Sequence, residues 1–81
     1  MNYQINASSI ANQDAEIHIK ASVIAFGTTS KTAETLPNPA ELLLGSFSAC
    51  MLKNVERFSI LMKFTYSEAR LEVKATRLEN P

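Results

Sequence analysis

Asn38-Pro39-Ala40-Glu41 opens a helix that takes up nearly a third of an 81-residue chain. Asn accepts a hydrogen bond from the free N–H groups of a helix start, and Pro at the first helical position gives up nothing. Glu41, three residues after Asn38, fits the reciprocal half of a capping box and suits the positive helix end. The helix should run to about Lys63, where Phe64-Thr65-Tyr66 turns β-favouring. At steps of about 100° per residue, Leu44, Met51, Val55, Phe58 and Met62 share one stripe, with Ser48 in its gap. Leu42 and Ile60 lie on another side. Such a helix asks for burial from more than one direction, so it should be central.

The residues before it read as strands. Tyr3, Ile5 and Ala7 alternate with Asn2, Gln4 and Asn6, the period of a half-buried strand. Asn12-Gln13-Asp14 supplies turn chemistry. A second, β-branched run follows, with Ile17, Ile19, Ala21, Val23 and Ala25 alternating against Glu16, His18, Lys20, Ser22 and Ile24. Gly27-Thr28-Thr29-Ser30 closes it, and Ser30–Leu36 is polar enough for a connecting loop. After the helix, Ala69, Leu71, Val73 and Ala75 alternate with Glu68, Arg70, Glu72, Lys74 and Thr76. That pattern predicts a last strand over Ser67–Thr76, with one wet face carrying cross-strand charge pairs. The expected fold is α+β: one domain over 1–81 in the order β-β-α-β, a small antiparallel sheet with one long central helix. Three strands cover only one side of that helix, and a second copy of the chain is the simplest remedy.

Composition narrows the function classes. Eight Lys or Arg balance eight Asp or Glu, which leaves no cationic excess for nucleic acid or a membrane surface. The apolar stretch inside Leu42–Met62 is broken by Lys53, Glu56 and Arg57, so no bilayer span is expected. Met1–Gln13 shows neither a basic region nor an apolar run of the secretory type. The expectation is a soluble cytoplasmic domain. His18, on the polar register with Glu16 and Lys20, has no second ligand at metal spacing, so no metal and no cofactor are expected.

The one cysteine, Cys50, is the only ready nucleophile. A lone Cys commonly serves as a small buried hydrophobe. Its helical neighbours argue differently. Ser46 and Asn54 lie one turn away on either side, with Lys53 three residues on and Arg57 two turns on, all within roughly 60° of Cys50. Two cations on that flank favour the thiolate, the reactive form. The helix dipole adds little this far from the start. Glu41, nine residues earlier, sits about 180° around an ideal helix from Cys50 and some 13 Å along it, which makes capping its default role.

The run Pro37-Asn38-Pro39-Ala40-Glu41-Leu42-Leu43-Leu44-Gly45-Ser46-Phe47-Ser48-Ala49-Cys50 resembles the signature of the OsmC/Ohr family, an Asn-Pro-x-Glu-Leu-Leu-Leu helix start leading through small residues to Cys. The flanks agree, with a strand hairpin before and a strand like Leu71–Arg77 after. The resemblance spans most of this chain and the N-terminal half of a typical member. It implies thiol-dependent reduction of organic hydroperoxides by an intertwined homodimer with sites at its interface. By that resemblance Cys50 is the peroxide-attacking cysteine and Glu41 the acidic position of the more divergent branch. In the better-understood peroxidases the Glu directly follows Pro, where this chain has Ala40. Those enzymes also draw an Arg from the N-terminal strands, and here the first Arg is Arg57. Their resolving cysteine belongs to the half that the resemblance does not span.

Two function classes follow. One is a redox enzyme that uses Cys50 alone, with Arg57 or Lys53 stabilising charge on the departing oxygen and an external thiol returning the sulfur to its resting state. The other is a non-catalytic dimerisation or small-molecule-binding module on a shortened scaffold of this kind.

Overall fold

The computed structural model describes residues 1–78. Strands β1 (Asn6–Ser9), β2 (Ala15–Ile19) and β3 (Ser22–Phe26) form one antiparallel sheet in the order β1-β2-β3. A short 3-10 turn, Ser30–Thr32, and the helix α1 (Pro39–Leu61) follow. The fold is a small α+β arrangement of a three-stranded sheet and one long helix. Its residues group into two compact units, Met1–Leu42 and those from Leu43 onward.

In the first unit the β1–β2 turn falls where Asn12-Gln13-Asp14 places it. Asn12 adopts φ 67, a left-handed conformation that Asn tolerates well, and the Gln13 N–H donates to Ile10 O at 2.9 Å. Alternation predicts a single strand over 16–25, but the structure divides it. Ile19 pairs with Ser22, so Lys20-Ala21 forms a two-residue hairpin turn with Lys20 at φ 54. Such turns usually announce themselves by Gly, Asn or Asp, and none stands here. The division also shortens β1. Asn6 opposes His18 close to the end of β2, and the residues before Asn6 have run out of partner strand. Tyr3 and Ile5, expected on a half-buried strand, are therefore exposed.

Across the sheet, Ala7, Ile17 and Ile24 stand in one row and Ala15 opposes Phe26 in the next. Ile17, Ile19, Ile24 and Phe26 are half-buried, while Glu16, His18, Val23 and Ala25 on the opposite face are exposed. Ala15 is the fully buried hydrophobic residue of this unit, at 2% exposure.

The helix begins as its sequence requires. Asn38 Oδ1 accepts from the Glu41 N–H at 2.8 Å, and Glu41 Oε1 accepts from the Asn38 N–H at 3.1 Å. This is the full capping box, and Leu42 N–H to Asn38 O at 3.0 Å starts the helical ladder. The end falls two residues short of Lys63. There the Phe64 N–H reaches back to Ser59 O at 3.0 Å across Lys63 at φ 56, the hydrogen-bond reach of a Schellman ending with Lys in the place usually held by Gly. Ser59 is buried and donates its hydroxyl to Glu56 O at 2.7 Å. Tyr66 donates to the Glu56 carboxylate, and that bond raises the Tyr66 pKa above its ordinary value, since it favours the neutral phenol.

Beyond the helix the structure departs from the expected order. Among the described residues no strand follows α1, so the elements run β-β-β-α rather than β-β-α-β. Residues 67–76 keep their alternation only in part, with Leu71 and Ala75 exposed. Ala69 and Val73 are half-buried, while Glu68 pairs with Arg70 at 2.8 Å and Glu72 with Lys74 at 3.4 Å on the other side. The charge pairs thus run along the chain, two residues apart, instead of across strands. Alternation states which face of a strand would be dry; it does not supply the neighbouring edge that makes a strand.

Candidate functional site

Cys50 lies twelve residues into α1 and its thiol is free and exposed. In the single chain the thiol is therefore not packed as a small buried hydrophobe. One turn on, Asn54 Nδ2 stands 3.9 Å from Cys50 Sγ, at sulfur hydrogen-bond range. The neighbours one and two turns back make a shallow apolar depression: Leu43, Leu44, Ser46 and Phe47 line it together with Cys50. Leu43 and Phe47 are 72% and 58% exposed, so an apolar group can reach the sulfur along an open path.

Helix spacing explains the grouping. Ser46, Phe47 and Leu43 precede Cys50 by four, three and seven residues, the separations that put side chains on one helix face. Of these the sequence reading singles out Ser46 and Asn54 but misses Leu43 and Phe47. Their signal was the same spacing, hidden because Ser46, Lys53, Asn54 and Arg57 mark that flank as polar.

The other proposed site residues fall in different places. Lys53 and Arg57 are exposed on the same helix, three and seven residues past Cys50, and neither joins an ion pair among the described residues. Both cations remain available to an approaching anion. Glu41 is held at the helix start by Asn38, in the capping role that its spacing gave as default. Its Oε1 is occupied by the Asn38 N–H.

A second depression on the helix is lined by Met51, Asn54, Val55, Phe58 and Phe64. Asn54 thus lines this second depression and also contacts Cys50 at the edge of the first. His18, on β2, places Nε2 2.9 Å from Glu16 Oε2 on the exposed face of the sheet. Among the described residues no group of three His, Cys, Asp or Glu side chains is placed to hold a metal ion. Among the described residues no helix is long and apolar enough to cross a membrane.

One polar cluster escaped the sequence reading. Asp14 Oδ1 accepts the Thr32 hydroxyl at 2.7 Å, the Thr28 N–H at 3.0 Å, the Thr29 hydroxyl at 3.2 Å and the Thr29 N–H at 3.3 Å. The Thr28 hydroxyl adds a bond to Gln13 O at 2.8 Å. Donors converging on the carboxylate, Thr32 foremost and then Thr28, hold the Asp14 pKa below its ordinary value. The partners lie fourteen to eighteen residues away in the chain, a range that no local motif reports. This cluster fastens the loop after β3 to the β1–β2 turn.

Comparisons with family models, curated proteins and solved structures give no match to this chain. The chemistry of the helix residues is therefore what a functional reading rests on.

Proposed function

We propose that the protein is a single-cysteine, OsmC/Ohr-like redox protein of the cytoplasm that reduces organic hydroperoxides, works as a homodimer and draws on an external thiol. The observation that carries this reading is the free, exposed Cys50 thiol at the edge of an apolar depression, on a helix that also presents Lys53 and Arg57, neither of them ion-paired among the described residues.

The chemistry follows from these groups. The Cys50 thiolate attacks the distal oxygen of the hydroperoxide; the S–O bond forms as the O–O bond breaks, and the electron pair leaves on the alkoxide. Arg57 or Lys53, from either subunit, stabilises that negative charge, and a proton from solvent completes the alcohol. The apolar depression receives the organic group. Cys50 is left as a sulfenic acid. With no second cysteine in the chain, an external thiol condenses with it, releasing water and forming a mixed disulfide. A second thiol equivalent restores Cys50 and departs with the first as a disulfide. Glu41 serves this site through the helix start that it caps.

A second copy is the partner that the apolar faces of α1 suit. Met51, Phe58 and Leu61, seven and three residues apart on one side of α1, are all exposed in the single chain and form an apolar stripe along it.

The test is peroxide loss against time, with an aromatic hydroperoxide and a dithiol. Wild type should turn over slowly and Cys50→Ser not at all, while Arg57→Ala should be slower by roughly 10²-fold, the size of losing one charge-stabilising donor. Equal loss with Cys50→Ser, or none with wild type, leaves the second reading, a non-catalytic dimerisation or small-molecule-binding module. Two observations favour that module: Glu41 is engaged in its cap, and the hydrogen-bond partner of Cys50 is an uncharged amide.

A further inference from the structure

We draw no further inference here: the strongest candidate, the side-chain cluster of Asp14 with Thr28, Thr29 and Thr32 beside the β1–β2 turn, is satisfied by hydrogen bonds among its own residues, and nothing in the structure points from it to a ligand.

Discussion

The loop that follows β3 and the helix that follows the loop solve opposite problems. Around Asp14 the difficulty is polar: a turn and a threonine-rich loop carry N–H and hydroxyl groups that need acceptors. One carboxylate oxygen accepts four of them within 3.3 Å. The Gly27 N–H is met by Pro37 O at 2.8 Å. Everything required lies between Gln13 and Pro37. Along α1 the difficulty is apolar. The capping box closes one helix end and the Phe64 N–H to Ser59 O bond the other, yet Leu43, Phe47, Ile60 and Leu61 stay largely exposed. Hydrogen bonding is short-ranged and a few residues can complete it, whereas a helix with apolar side chains on more than one side needs cover from elsewhere.

The widest effect expected tests that cover. If a second copy lies over α1, Leu61→Asp should cost about 2–3 kcal/mol, the transfer energy of a buried Leu, before any cost of stranding the charge. The wild-type urea midpoint should then rise with protein concentration, because association stabilises the folded state by mass action. If the helix stands open in solution, the variant should match wild type within about 0.5 kcal/mol, as surface changes usually do.

The Asp14 cluster has a pH signature. Its carboxyl titrates below the unfolded reference of 3.8, so its stabilising contribution is present in full above that pH. It fades as pH falls through the folded-state pKa. Asp14→Ala should lower the thermal midpoint at pH 7. The gap from wild type should hold down to about pH 4, near the unfolded reference, and close at more acid pH. A gap that persists unchanged to pH 2 would show that packing, rather than the ionised carboxylate, ties the loop.

Smaller changes probe each region separately. Asn38→Ala removes the acceptor half of the capping box and should cost about 1 kcal/mol by denaturant unfolding. Gly27 lies against the tied loop: a Cβ there would meet Thr32 Oγ1 at 3.2 Å, and that oxygen is pinned by Asp14. Gly27→Ala should therefore destabilise, by about 1 kcal/mol. Gly45, in the interior of α1, has nothing within 4 Å of its missing Cβ. Gly45→Ala should stabilise by about 0.5–1 kcal/mol through helix propensity. A loss at Gly45 instead would mark a close approach by another chain at that turn.

What the sequence disclosed follows the same division. The helix start is legible to the residue, because a capping box is a contact over three positions with one geometry. The β1–β2 turn is legible because Asn12 has the chemistry for positive φ. The β2–β3 turn is not, since Lys20-Ala21 enters its conformation without a residue that prefers it, and the strand pattern runs straight through. Asp14 shows its turn character but not its partners, which only the folded sheet brings near. Residues 67–76 display the right alternation and lack the edge that alternation presupposes. At the candidate site, Asn54 is readable from its spacing to Cys50 and Glu41 from its cap. The apolar lining by Leu43 and Phe47 is not, because Ser46, Lys53, Asn54 and Arg57 share their flank of the helix and give it a polar reading.

The most direct measurement is the chemical state of Cys50 after one equivalent of an aromatic hydroperoxide, with a sulfenic-acid trap present and no reductant. Peptide mass spectrometry should find the trap on Cys50 in near-stoichiometric yield, with wild type losing its free thiol as the peroxide is consumed. A Cys50 that keeps its free thiol while peroxide persists would contradict the proposed chemistry.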